Sequence, residues 1–139
     1  MKSKPAKKLD NIDTVVSVEF YAPIKIIAEM NWRGHWAVRK KRFDVQAMGI
    51  RASFGHLAVS VVRPWKQWRI TFTRVGKRVL DDDNLAGGCK HVRDVVAGII
   101  GVDDGSKQYQ WCYDQTIGKE YGLWVRIERM KEPHPITVG

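Results

Sequence analysis

The stretch "VLDDDNLAGGCKHVRDVVAGII", Val79 to Ile100, decides the fold because an acidic cluster leads directly into an amphipathic pattern. Apolar residues recur at alternating four- and three-residue intervals, the spacing of a helix buried along one face. The pattern predicts a helix from about Asn84 to Ile100. Its predicted buried stripe consists of Leu85, Cys89, Val92, Val96 and Ile99.

Segments with β-branched, alternating sequences flank this helix and predict strands. They are "TVVSVEFYA" (Thr14–Ala22), "QWRITFTRV" (Gln67–Val75), "QYQWCYDQ" (Gln108–Gln115) and "LWVRIERM" (Leu123–Met130). "IKIIAEM" after Pro23 is either a further strand or a continuation of the first, and "HLAVSVVRPW" fits helix and strand equally. In the last two strands, Tyr109, Trp111 and Tyr113 share one face, and Leu123, Val125 and Ile127 are expected to point inward.

A second, basic helix is predicted in "HWAVRKKRFDVQAMGI", His35 to Ile50, with Trp36, Phe43, Ala47 and Ile50 on its buried stripe. Together the elements predict an α+β fold: one small domain, a mixed sheet of about four strands and two main helices. The helix after the acidic cluster crosses over between two strands. We expect a basic flexible arm at 1–13, the domain at 14–130 and a loose tail at 131–139.

Composition favours a polyanionic partner, because 24 Lys and Arg oppose 15 Asp and Glu, a net charge of +9 over 139 residues. No apolar run is long enough to span a membrane, and no apolar segment follows the basic start as a secretory signal requires. The two cysteines, without metal-ligand spacing, predict reduced and packed thiols in a cytoplasmic protein. The absence of GxxxxGK[ST] and GxGxxG motifs argues against a nucleotide cofactor.

Tryptophans interleave with basic residues in two regions, around Trp32 and Trp36 and around Trp65 and Trp68. Such interleaving can hold phosphates and stack on exposed bases. The alternative, weighted equally for each tryptophan, is that it belongs to the core. The predicted DNA-binding residues are Asn31, Arg33, Arg39, Lys40, Lys41, Arg42, Arg74, Lys77 and Arg78.

The aspartates lie at both ends of the predicted helix. If the segment before it is extended, Asp81 and Asp83 point to one side, and Asp103 and Asp104 follow in a glycine-flanked turn. Converging carboxylates need a counter-charge, for which Mg²⁺ is the natural candidate. Taken alone, the "DDD" run is better explained as a favourable N-terminal charge cluster, and the "VDDG" turn as an ordinary turn. Taken together, with an apolar helix between them and a lysine on the same face, the two motifs favour a metal site.

Lys90 lies seven residues after Asp83, nearly on the same face of a regular helix, so its ammonium could lean back toward the acidic site. Asp94, four residues on, is expected to pair with it. Gly87 and Gly88 are unfavourable inside a helix, which indicates that a partner helix or a DNA strand approaches the backbone there.

The order Asp81-Asp82-Asp83-Asn84-Leu85, Lys90, Asp94, Gly101-Val102-Asp103-Asp104-Gly105 resembles the RusA-like Holliday junction resolvases. The "QWCYDQ" strand after the turn, and Asn31 in a loop before a basic helix, also suit that family. The resemblance covers about residues 14 to 130, and such resolvases are often carried by phages or prophages.

This resemblance implies a homodimeric endodeoxyribonuclease that uses Mg²⁺, with Mn²⁺ as a substitute, to cut branched DNA at four-way junctions. Its catalytic residues would be Asp81, Asp83, Asp104 and Lys90, and its metal ligands would be Asp81, Asp83 and Asp104. Asp104 is favoured over Asp103 as the second residue of its pair. Two alternatives stay open: a basic DNA-binding protein of the same fold that does not cut, and a nuclease for other branched DNA or RNA.

Overall fold

The computed structural model describes residues 7–9, 14–54, 68–101 and 109–130. Within them the chain forms five strands, three α-helices and a 3-10 turn at Glu29–Asn31. The strands are β1 (Lys7–Leu9), β2 (Thr14–Ala22), β3 (Trp68–Gly76), β4 (Tyr109–Ile117) and β5 (Gly122–Met130). The helices are α1 (Trp36–Phe54), α2 (Asp82–Gly88) and α3 (Lys90–Ile100).

The strands form one mixed sheet in the order β1-β2-β5-β3-β4. The β3–β4 pair is parallel and the other pairs are antiparallel. Parallel neighbours require a crossover, which α2 and α3 supply between β3 and β4. The predicted α+β domain with a mixed sheet and a crossover helix is therefore confirmed. Four strands have nine residues each, and β1 is a short addition at the edge.

The structure describes only a small part of the predicted arm, tail and ambiguous segment. Part of the expected arm forms β1, because Lys7–Leu9 pairs with Ser17–Glu19 of β2. The remainder of the arm, the tail at 131–139 and the ambiguous "HLAVSVVRPW" segment lie outside the described residues.

The core lies between one sheet face and the helices. Alternate residues of β3 and β5 point into it, as the strand period requires, with Ile70 and Phe72 opposite Ile127 and Val125. The predicted stripe of the crossover helix is largely confirmed, since Leu85, Cys89, Val92 and Val96 are buried and Ile99 packs at the edge. Burial also raises the pKa of the Cys89 thiol to about 12, so this cysteine stays protonated at neutral pH.

The predicted stripe of α1 is partly wrong. Trp36 is 69% exposed, whereas Gln46, Ile50 and Phe54 are the buried residues of this helix. Gln46 is buried because its Nε2 donates to the carbonyl of Lys25 at 2.7 Å. The pattern of apolar side chains alone could not predict which face of α1 is buried, since a buried glutamine belongs to that face.

The segment "IKIIAEM" is not a strand: it begins at a tight turn, in which the Ile24 N–H donates to the Ala22 carbonyl at 2.8 Å, and it ends in the 3-10 turn Glu29–Asn31. Ile24 and Ile26 alternate into the core, as in a strand. However, the carbonyls of Lys25 and Ile26 accept hydrogen bonds from the side chains of Gln46 and Arg74. Side-chain donors thus satisfy backbone groups that would otherwise need a neighbouring strand.

The predicted continuous helix from Asn84 to Ile100 is interrupted at Cys89, which has φ −90° and ψ −2°. The residue before the interruption lies in a close contact: a Cβ on Gly88 would lie 2.3 Å from the carbonyl oxygen of Ile27. The backbone that approaches Gly88 is therefore this chain's own, at Ile27, and Gly87 faces the side chain of Met30. The partner helix or DNA strand that the sequence suggested is not needed to explain them.

Gly88→Ala is expected to lower the free energy of unfolding by about 1–3 kcal/mol, since a methyl group must displace the Ile27 carbonyl. Gly98→Ala in α3 is the matched control, because no described atom beyond its own stretch of helix lies within 4 Å of its Cβ position. There the change should stabilise the protein by about 0.5–1 kcal/mol. Urea denaturation measures both variants, and equal effects would contradict the packing account.

Candidate metal and nucleic-acid site

Asp81 is the N-cap of α2. Its carboxylate accepts hydrogen bonds from the backbone N–H of Asn84 at 2.9 Å and from Asn84 Nδ2 at 3.0 Å. Capping of this kind satisfies a helix donor that has no partner within the helix. The interpretation of the aspartate run as a structural N-terminal cluster therefore holds for Asp81.

Asp83 occupies the first turn of α2 and is exposed, as are Asp81 and Asp82. The prediction that Asp81 and Asp83 point to one side assumed an extended segment. That geometry is wrong because the helix begins at Asp82, so the two-residue alternation ends at Asp81. The aspartates nonetheless start the same helix and concentrate negative charge at its exposed N-terminus.

Asn31, a predicted DNA-binding residue, comes close to these aspartates through Asn84. The 3-10 turn Glu29–Asn31 brings its Nδ2 to 3.5 Å from Asn84 Oδ1, at the limit of hydrogen bonding. Asn31, Asn84 and Asp81 thus form a chain of side-chain contacts that joins segments more than fifty residues apart. We call these three residues the Asp81 cluster.

Two side chains from the sheet fix the backbone on either side of the cluster. Arg74 of β3 donates from Nε to the Ile26 carbonyl at 2.8 Å and from Nη1 to the Arg78 carbonyl at 2.7 Å. Gln115 of β4 brackets Leu80: it accepts from the Leu80 N–H at 2.9 Å and donates to its carbonyl at 2.6 Å. The approach to Asp81 is therefore anchored to both parallel strands.

Arg74 was predicted to bind DNA, and the structure gives it a different position. Only 4% of the residue is exposed, and its guanidinium is directed at backbone carbonyls of its own chain. Burial lowers the pKa of this guanidinium from its ordinary value. Arg74 organises the segments around the site and does not present its charge to a ligand.

Two further predicted DNA-binding residues, Arg39 and Arg42, contact the Glu29 carboxylate. This buried carboxylate accepts two hydrogen bonds from Arg42, at 2.6 and 2.7 Å, and lies 3.3 Å from Arg39 Nε. The hydrogen bonds to Glu29 raise the pKa of the Arg42 guanidinium. The Arg42 guanidinium also lies 4.7 Å from the centre of the Trp32 ring. Arg42 is therefore committed to internal contacts, whereas Arg39 is 39% exposed in its side chain.

The other predicted basic residues remain at the surface: Arg33, Lys40, Lys41, Lys77 and Arg78. Lys40 pairs with Asp44 at 3.2 Å, one helical turn along α1. Lys77 lies 5.7 Å from the centre of the Tyr121 ring. These five residues keep their charge accessible to a polyanion.

Lys90 begins α3 and pairs with Asp94 at 3.5 Å, as the sequence predicts. Its side chain is 65% exposed. Because the helix is interrupted at Cys89, Lys90 and Asp83 belong to different helices, and the expected regular seven-residue path between them is wrong.

The predicted pair of the second acidic turn, Asp103 and Asp104, lies outside the described residues, as does most of its "GVDDG" motif. Among residues 7–9, 14–54, 68–101 and 109–130, no group of three His, Cys, Asp or Glu side chains could hold a metal ion. The described oxygen donors at α2 therefore form at most part of a metal site.

The tryptophans differ in their positions. Trp68 is fully buried, and Trp111 stacks near the core residue Phe72 with 6.0 Å between ring centres. Trp36 is exposed and stacks on His35, with 5.7 Å between ring centres and the rings inclined by 29°. Trp65 lies outside the described residues. Stacking on a nucleic-acid base is thus geometrically open to Trp36 and closed to Trp68.

Sequence reasoning missed Glu29, Gln115 and His91. The first two act through contacts across the fold, for which a single sequence carries no signal. His91 donates from Nε2 to the Phe43 carbonyl at 3.0 Å, since a carbonyl oxygen only accepts. Its ring stacks on Phe43 with 4.3 Å between ring centres, which joins α3 to α1.

Comparison with known proteins adds no relative: no protein-family model matches the chain, and no curated protein matches it. Any assignment of function therefore depends on the residues and their geometry. In the described part of the chain, no helix has the length and apolar character needed to cross a membrane.

Asp81→Ala is expected to lower the free energy of unfolding by about 1 kcal/mol, because α2 loses its N-cap. Asp81→Asn should cost much less, since asparagine caps helices about as well as aspartate. Urea denaturation provides the measurement, with Asp82→Ala as a control that removes a neighbouring charge without removing the cap. An Asp81→Ala protein as stable as the wild type would contradict this role.

Proposed function

We propose that the protein is a Mg²⁺-dependent, structure-selective endodeoxyribonuclease that resolves four-way DNA junctions by paired nicks, in DNA recombination and repair. The observation that carries this proposal is the Asp81 cluster, in which Asn31 meets the Asp81–Asn84 pair beside the exposed Asp83. These residues match the acidic motif and the upstream asparagine on which the likeness to RusA-like resolvases rests.

The donor chemistry of the cluster fits a hard divalent cation. Carboxylate and amide oxygens are the protein ligands that Mg²⁺ prefers, and it commonly takes only one or two carboxylates plus water and phosphate oxygens. A carboxylate has about four lone-pair positions, and the described contacts of Asp81 use two of them. Asp81, Asp83 and Asp104 would hold Mg²⁺, or Mn²⁺ in its place, and the bound ion would supply charge stabilisation and a more acidic water.

Other residues near the cluster would position the Asp81 carboxylate or bind a phosphate group. Asn84 orients the Asp81 carboxylate through its hydrogen bonds, and Asn31 contacts the side chain of Asn84. Lys90 brings an exposed ammonium to the start of the next helix, where it can contact a phosphate. Hydrolysis transfers a water oxygen to the scissile phosphorus, breaks one P–O bond and leaves the departing oxygen as a hydroxyl group.

Binding of DNA would rest on the exposed basic residues, chiefly Arg33, Lys40, Lys41, Lys77 and Arg78. Contacts of this kind bind phosphates and carry little sequence information, as suits an enzyme that selects shape. A junction offers two strands related by an approximate two-fold axis, so a homodimer with two identical sites matches the substrate. We place this activity in the cytoplasm, where two reduced thiols are expected to persist.

A second candidate is a basic DNA-binding protein of the same fold that does not cut. The capping bond of Asp81 favours this second candidate, because it gives the carboxylate a structural role independent of any metal. Exposed Asp83 has no such capping role, so its substitution separates the two functions. A nuclease acting on other branched DNA or RNA shares the same chemistry and differs only in substrate shape.

Asp83→Asn is expected to lower the rate of junction cleavage at least a hundredfold and to leave junction affinity equal or higher, since one negative charge near the phosphates is removed. Asp82→Asn is the matched control, because it removes the same charge one residue away. Cleavage of a labelled four-way junction in Mg²⁺ and gel-shift titration on the same preparations provide the measurements. Normal cleavage by Asp83→Asn would remove this residue from the site, and a wild-type protein that binds junctions in Mg²⁺ without cutting them would favour the second candidate.

A further inference from the structure

A groove of about 460 Å³ lies beside the Asp81 cluster, between α1, the Glu29–Asn31 turn and the two crossover helices. It shares elements with the cluster: Met30 precedes Asn31, and Gly87 lies one turn after Asn84 in α2. Its volume is within the range of about 300–1,000 Å³ that small-molecule sites occupy.

Part of the groove is apolar and open. Met30 is 62% exposed, although its side chain also faces Gly87, where a Cβ would meet its Cγ at 3.4 Å. The other wall carries the stacked rings of Phe43 and His91, inclined by 11°. A thioether and stacked rings are surfaces on which a flat aromatic ligand packs well.

Among the described residues that line the groove, two are cations and two are carboxylates. Arg39 and Lys90 line it and are both accessible, with side chains 39% and 65% exposed. Arg39 lies 3.3 Å from the Glu29 carboxylate and donates to the Glu29 carbonyl at 2.7 Å, and Lys90 pairs with Asp94, yet both side chains keep an exposed part. The exposed donors of these two side chains can contact one phosphodiester group.

We infer that this groove accommodates a single unpaired nucleotide of the bound DNA strand, with its base against Met30 and the Phe43–His91 wall and its phosphate near Arg39 and Lys90. This inference rests on the proposed function. It adds that recognition of branched DNA includes a base withdrawn from pairing, which would be held one helical turn from the Asp81 cluster. Contact with a base face is tolerant of sequence, because every base has one.

The inference is tested with two four-way junctions that differ at one added residue at the branch point: an unpaired thymidine in one, an abasic residue in the other. Binding is measured by fluorescence anisotropy with Ca²⁺ in place of Mg²⁺. The wild type should bind the thymidine junction about tenfold more tightly, which is within the usual effect of one stacked base. Met30→Glu should abolish this preference, because a carboxylate then lies where the base would sit.

Met48→Glu is the matched control. Met48 is a methionine of similar exposure, 68%, and lies on the side of α1 opposite Arg39, since nine residues of helix turn through about 180°. This variant should keep the full preference for the unpaired base. Equal affinity of the wild type for the two junctions, or an unchanged preference in Met30→Glu, would overturn the inference while leaving the nuclease proposal intact. A wild type that binds neither junction better than linear duplex would refute both.

Discussion

The two hydrogen bonds of the Arg74 guanidinium are the interactions on which the arrangement of the site depends. One reaches the Ile26 carbonyl in the segment that leads to Asn31, and the other reaches the Arg78 carbonyl in the segment that leads to Asp81. A buried cation without such partners would cost several kcal/mol, so the two carbonyls and the guanidinium require one another. This constraint holds two distant parts of the sequence at one end of the sheet.

Gln115 and Gly88 also position the segments that form the site. Gln115 fixes the residue immediately before Asp81 from β4, while the missing side chain of Gly88 lets the 26–30 segment pass against α2. The result places acidic and amide side chains together at the surface of a chain with net charge +9. Such a concentration of oxygen donors within a basic surface suits a protein that binds a polyanion and needs a cation beside it.

Much of the fold could be predicted from the sequence, because strand and helix periods follow directly from which side chains are buried. In this way the sequence predicts the four long strands and the buried stripe of Leu85, Cys89, Val92 and Val96. The face of α1 was not, because the buried Gln46 looks polar in sequence and its partner is a carbonyl twenty-one residues earlier. For the site, the motif predicted Asp81, Asp83, Asp104 and Lys90, and the contact of Asn31 with Asn84 could not be predicted because it joins distant segments. The internal role of Arg74 could not be recognised, because a buried arginine and a DNA-binding arginine are the same letter.

The central claim is that the Asp81 cluster holds a divalent cation, and a titration of the ¹⁵N-labelled protein with Mg²⁺, followed by ¹H–¹⁵N correlation spectra, tests it most directly. The account predicts saturable shifts in the side-chain amides of Asn31 and Asn84 and in the backbone N–H of Asn84, which Asp81 caps. The side-chain amide signals of Gln46, which lies on the buried face of α1, should not shift. Shifts that leave both asparagines unchanged, or no saturable shift at all, would contradict the account.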